Sequence, residues 1–228
     1  MKVLCPIDFS KTSINACYWI ADFLSQYEVS ELHLCHFINF SRRASMFVNI
    51  DDLFIERAEM DMEELTGRLK ILHEDLSVKV AIYKADPKEG IVNKAKSEVP
   101  DLIVTGTSGL NAIKSMTIGS VTKYIFDHSD IPVLAIPANI KFYKISKIAL
   151  AVDRQKFSKI SPLFLIRDLI EKFSSALHII HVSDELDSWT KLDSSLGSVF
   201  KNIDFVYEKL TLQHSLAQTL SNYSNNQD

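Results

Sequence analysis

Residues 2–38 read KVLCPIDFSKTSINACYWIADFLSQYEVSELHLCHFI. An apolar run, 2–9, ends in Pro6, Asp8 and Ser10 and predicts a buried strand. Ile14, Cys17, Tyr18, Ala21 and Leu24 then recur at helical spacing across 11–27, with Ser10 placed to cap the helix. A second apolar run, 31–38, predicts another strand. Strand, helix and strand in this order form a right-handed crossover between parallel strands.

The pattern continues outward. A longer helix carries Ala58, Met62, Leu65, Leu69 and Leu72 on one stripe. Residues 78–85 alternate as a third strand. Asp86-Pro87 opens a helix with proline at its first position, burying Ile91, Val92 and Ala95. Residues 101–107, DLIVTGT, form a fourth strand. Val121, Tyr124, Ile125 and His128 then share one helical face, and 131–137 is a fifth strand. Five strands alternating with four helices predict an α/β fold: a parallel five-stranded sheet flanked by helices, Rossmann-like, with ligands expected beyond the strand carboxyl ends.

After a short hinge at 138–144 the pattern returns. KIALAVD at 147–153 echoes KVLCPID at 2–8, and LHIIHV at 177–182 echoes LHLCHF at 32–37. Asp8 to Asp153, Leu32 to Leu177 and His36 to His181 share an offset of 145 positions. A common offset across two strands and a helix predicts an internal repeat. The expected domains are 1–138 and a partial repeat of the same fold, 145–228. In the repeat, 204–210 matches the third strand and 215–224 the third helix. A fourth strand and a second glycine loop are missing, so the second copy is either cut short or degenerate. Its open sheet edge is expected to be covered by the first domain or by a second chain.

Composition narrows the function. The chain has 228 residues, 46% of them apolar and 24% charged, with a net charge of −4. The basic residues are scattered, leaving no electrostatic footprint for nucleic acid. No apolar run reaches membrane-spanning length, and the cytoplasm is the expected compartment. Three cysteines without a CxxC pair predict reduced, packed thiols rather than disulfides or a metal site.

Three of the six glycines fall between 106 and 119. The spacing is Gly106-x2-Gly109-x9-Gly119-Ser120, between the fourth strand and the fourth helix. Gly106 sits at the strand's carboxyl end, where a missing side chain would let a ligand reach backbone, and Gly109 permits a positive φ. Gly119 and Ser120 lie where the helix begins and its free N–H groups favour anions such as phosphate. Ser120 and Thr122 hydroxyls are further candidate donors, and Lys114, mid-loop, reads as a solvated lysine before it reads as a phosphate-seeking cation. The ending is not that of a Walker A loop, and the position is not that of a dinucleotide fingerprint. Asp8 reads as a ligand contact or a helix cap. His36 and His181 read as strand-end histidines satisfied by hydrogen bonds, and His33 and His178 as facing the other side of their strands. No HExxH, GxSxG or paired-carboxylate motif is present.

Gly-x2-Gly-x9-Gly-Ser after DLIVTGT resembles the nucleotide-binding signature of the universal stress protein family. PIDFS, DPKEGIVNKAKSEVPDLIVTGTSG and SDIPVLAIP resemble that family's first strand end, lead-in and last strand. The likeness spans 1–138 in full and 145–228 in part, as in a tandem member with an incomplete second copy. The resemblance implies ATP as the ligand, with Mg as an optional companion, in a cytoplasmic stress-response module without dedicated catalysis. It implies that Gly106, Gly109, Gly119, Ser120 and Val121 surround ribose and phosphates and that Pro6, Ile7 and Asp8 lie beside the adenosine. Phe37 takes a position that usually holds a small aliphatic residue against adenine, where a ring either stacks on the base or fills its space. Asp153 lacks the companion residues of a second site. Family members typically dimerise, so a homodimer or an intrachain pseudo-dimer is expected. The alternative readings are a nucleotide-free structural dimer and a slow ATPase.

Overall fold

The computed structural model describes residues 1–39, 48–107, 118–152, 161–182, 194–212 and 215–225, in two units, Met1–Phe142 and Tyr143–Asp228. In the first unit the chain runs β1 (Lys2–Pro6), α1 (Lys11–Leu24), β2 (Glu31–Ile38), α2 (Val48–Leu72), β3 (Ser77–Lys84), α3 (Pro87–Glu98), β4 (Leu102–Thr107), α4 (Ser120–His128) and β5 (Val133–Pro137). All pairings are parallel, in the order β3-β2-β1-β4-β5. The chain builds outward from β1 to β3, then returns to the other side of β1. The order therefore reverses between β1 and β4.

Central position explains composition. Val3, Leu4 and Cys5 of β1 and Leu32, Leu34 and Cys35 of β2 are fully buried, as strands covered on both faces must be. Leu4, Cys35, Phe37, Ile91, Ile103 and Ile125 form one cluster between the sheet and the helices α3 and α4. Local signals set the helix starts. Ser10 Oγ accepts from the Ser13 amide at 3.2 Å, and Asp86 Oδ1 from the Lys88 amide at 2.9 Å, with Pro87 at the first position of α3. Ala58, Met62, Leu65 and Leu69 bury the stripe of α2, but Leu72 is 61% exposed, against expectation. The helix ends there, and Leu76, just beyond the turn, takes the buried place instead.

The segment read as a hinge from 138 is fastened to α1 as far as Phe142. Asn15 Nδ2 donates to the Pro137 and Ile140 carbonyls, each at 3.2 Å. The Phe142 ring meets Trp19 edge-on at 5.2 Å.

The second unit comprises β6 (Lys147–Val152), α5 (Ser161–Phe173), β7 (Ala176–Val182), α6 (Ser194–Val199), β8 (Phe205–Leu210) and α7 (Leu216–Asn225). Its sheet has three parallel strands in the order β6-β7-β8, around a core that includes Leu163, Ile170, Ile179 and Phe200. The repeat holds at the level of register. Lys2 pairs with Glu31 and Lys147 with Ala176, and both residues of each pair are 145 positions from their counterparts. It holds for side chains too. The ring of His36 donates to the Ile7 carbonyl at 2.7 Å, and that of His181 to the Val152 carbonyl at 3.1 Å, one bond repeated at the same offset. Among the described residues β6 has no strand on the side where β1 pairs with β4. No described helix is long and apolar enough to cross a membrane.

Candidate functional site

The carboxyl ends of β1 and β4 open onto the point where the strand order reverses, the usual ligand crevice of open α/β sheets. A cavity of about 200 Å³ lies there. Pro6, Ile7 and Asp8 form one wall, Gly106 and Val121 another, and Phe37 with Ile91 and Ile125 an apolar side. A larger groove of about 620 Å³ runs between α2 and β3 and is lined by neither β1 nor β4.

Asp8 is more committed than the sequence reading allowed. Its Oδ1 accepts from the Ser10 amide at 3.0 Å, and its own amide donates to Ser13 Oγ at 3.4 Å. Partial desolvation pushes its carboxyl pKa up, but hydrogen bonds from Ser10 and Ser13 outweigh that, so the net shift is down. The turn is tight: Phe9 follows with φ of 60°, in the left-handed region, and its ring lies 4.8 Å from that of His36. Phe37, 9% exposed, stacks on Tyr83 at 5.1 Å and rests on the bare Cα of Gly90. The ring is thus held back against α3, and the cavity beside it stays open.

Gly106 serves a packing purpose that the spacing did not announce. A Cβ there would come within 3.0 Å of the Thr12 carbonyl and 2.9 Å from the Ser13 nitrogen. The missing side chain admits the first turn of α1, and the residue also lines the cavity. Thr122 is also spoken for, because it is buried and its hydroxyl donates to the Gly106 carbonyl at 3.4 Å. Gly119 caps α4 without a side-chain hydrogen bond, and a Cβ there would meet nothing within 4 Å. Gly119 and Ser120 are exposed, and the first amides of α4, like those of any helix start, have no partner within the helix. Gly109, Lys114 and Asp153 lie outside the described residues.

The sequence reading missed Thr105. It lines the cavity, it is 4% exposed, and its Oγ1 is buried without a hydrogen-bond partner among the described residues. A threonine inside the apolar run LIVTGT was the available signal. The remaining candidates are structural. His33 Nδ1 lies 2.7 Å from Glu98, and His178 Nδ1 lies 3.1 Å from Glu208. Cys5, Cys17 and Cys35 are buried and free. Burial holds the Cys35 thiol well above its ordinary pKa, which keeps it unreactive. Among the described residues no group of three or more His, Cys, Asp or Glu side chains could hold a metal ion.

Residues 1–137 match the sequence model of the universal stress protein family. A universal stress protein of Methanocaldococcus jannaschii is 28% identical over 151 residues, covering 59% of this chain and 93% of that protein. A putative universal stress protein of Staphylococcus aureus strain USA300 is 34% identical over 100 residues, 42% of this chain and 60% of its own length. Among solved structures, a universal stress protein from Archaeoglobus fulgidus superposes with a TM-score of 0.75 at 21% identity, covering 99% of this chain and 83% of that one. At that identity the likeness is one of fold.

Proposed function

The chain belongs to the universal stress protein family, and from that membership we propose that its first unit is an ATP-binding module of a cytoplasmic stress-response protein, without dedicated catalysis. The observation that carries this reading is the cavity at the β1/β4 switch point, with Phe37, Ile91 and Ile125 on its apolar side and Val121 and Thr122 of the first turn of α4 in its lining. In this reading the purine takes the apolar part of the cavity, beside Phe37. The cavity is smaller than the roughly 300–1,000 Å³ of whole-ligand sites, so the phosphates extend out toward Gly119 and Ser120. There the amides and dipole of α4 favour negative charge. In this reading Gly106 and Val121 border the ribose and phosphates, and Pro6, Ile7 and Asp8 border the adenosine.

Asp8 is the acidic side chain of the described lining. Its lowered pKa makes it a poor general base at neutral pH, which favours holding nucleotide over turning it over. With one carboxylate in the described lining, Mg would ride mainly on the phosphates. In this reading a second copy of the chain covers the side of β6 that has no partner strand among the described residues, and light scattering that gives only the monomer mass at micromolar concentration counts against that assembly.

Isothermal titration of the whole chain with ATP and with GTP tests the nucleotide reading. Saturable binding of ATP, weakened by substitution at Gly119, is expected. Folded protein that shows neither heat nor a thermal shift with ATP overturns it.

A further inference from the structure

The polar side chains around the cavity are nearly all engaged. Ser10 and Thr12 share a hydrogen bond at 3.0 Å, and Ser13 Oγ donates to the Ser10 carbonyl at 3.1 Å. Asp8 takes the Ser10 amide, and Thr122 serves Gly106. Thr105 stands apart: it is a lining residue, 4% exposed, with a buried hydroxyl that has no partner among the described residues.

Its position says which part of a ligand it would meet. Successive strand residues alternate faces, so Thr105 shares the sheet face of Ile103, two positions earlier in β4. Ile103 belongs to the cluster that includes Phe37, Ile91 and Ile125. Thr105 therefore belongs to the apolar side of the cavity, not to the exposed amino end of α4. One step of χ1 exchanges the hydroxyl and methyl of a threonine, so the group is available to a molecule seated against this wall.

We propose that Thr105 is a specificity-determining residue of this site, its hydroxyl hydrogen-bonding the nucleoside portion of the bound nucleotide. In the empty protein an unpartnered buried hydroxyl is a net cost. A ligand that offers a nitrogen or oxygen to it recovers that cost, and an apolar ligand of the same shape does not. Selectivity follows from the asymmetry, since a site with one unmet polar group discriminates against molecules that leave it unmet.

The inference rests on the nucleotide reading, and the test separates the two. The whole wild-type chain, Thr105→Val and Thr105→Ser are titrated with ATP and with adenosine, and melted without ligand. Thr105→Val keeps the shape and removes the hydroxyl. The expected result is affinity about tenfold weaker for both ligands, with an unliganded melting temperature equal to or above wild type, while Thr105→Ser binds within a few-fold of wild type. Unchanged affinity in Thr105→Val overturns the role of Thr105 and leaves the nucleotide reading standing. So does a loss confined to ATP, which would place the hydroxyl at the phosphates, or a lowered melting temperature, which would make it structural. Wild-type protein that binds neither ligand overturns both.

Discussion

Gly106→Ala tests the central packing of the site. The new Cβ would sit 2.5 Å from the Thr12 carbonyl carbon and 2.9 Å from the Ser13 nitrogen. Both are backbone atoms, so no side chain can swing aside. That backbone is pinned as well: the Ser13 amide donates to Ser10 Oγ at 3.2 Å and the Ile14 amide to the Ser10 carbonyl at 3.0 Å. Carbon atoms pack best at about 3.5–4.0 Å, so α1 and β4 must part by roughly 1 Å. Overpacking of this kind costs about 1–3 kcal/mol, which for a unit of this size lowers the melting temperature by roughly 3–10 °C. Gly67→Ala is the matched control. A Cβ there meets nothing within 4 Å, and the residue lies exposed inside α2, where alanine gains about 0.5–1 kcal/mol over glycine. One chemical change thus has opposite signs at two positions. Thermal unfolding of both variants, followed by circular dichroism and calorimetry, reads the difference. A Gly106→Ala melt within a degree of wild type, or one that rises with Gly67→Ala, refutes the close approach of α1 to β4.

Other substitutions probe the cavity and the charge network. Gly119→Asp places a capping carboxylate at the start of α4, where φ of −55° and ψ of 148° suit an aspartate. It should stabilise the fold by about 0.5 kcal/mol and weaken ATP binding at least roughly tenfold by repulsion. Undiminished binding in calorimetric titration would remove the phosphates from α4. In Gly90→Ala the Cβ meets the Phe37 ring at 2.5 and 2.6 Å and should push it into the cavity. Nucleotide affinity then falls while helix propensity limits the loss of stability, and a titration matching wild type would show that the ring yields elsewhere. Glu98 sits 2.6 Å from Lys94, 2.7 Å from His33 and 3.3 Å from Lys2. Desolvation alone would raise its pKa, but these partners bring it down from 4.5 to about 2. Because the folded pKa lies below the unfolded one, its stabilisation is complete above about pH 4.5 and drains away toward pH 2. Glu98→Gln should therefore cost about 1–2 kcal/mol at pH 7, with the gap to wild type narrowing at pH 3. Urea unfolding at both pH values measures it, and an equal gap at each would contradict the ion-pair account.

Much of the fold was legible because its signals are short in sequence. Ser10 and Asp86 cap helices through amides two or three residues on, so the residues themselves announce the helix starts. The repeat was legible because its offset of 145 carries through to strand register and to the histidine–carbonyl bonds of His36 and His181. Leu72 was misread because helical periodicity does not say where a helix stops, and the chain turns before that face returns to the core. The candidate cavity was legible as a place, since Pro6, Ile7, Asp8, Phe37, Gly106 and Val121 all border it. Its chemistry was less so, because Asp8 and Thr122 spend hydrogen-bonding capacity on neighbours that spacing does not reveal.

By itself the sequence determined the alternation of strand and helix, the parallel sheet and the partial second copy, all of which follow from hydrophobic period, local caps and an internal echo. Only the tertiary structure decided that Gly106 is small for the sake of Thr12, that Gly90 seats the ring of Phe37, and that Thr105 is the hydroxyl left unmet. Each of these depends on a few ångströms of approach between surfaces that meet only after folding. A contact distance between two packed backbones leaves no periodic trace in either of the segments that make it.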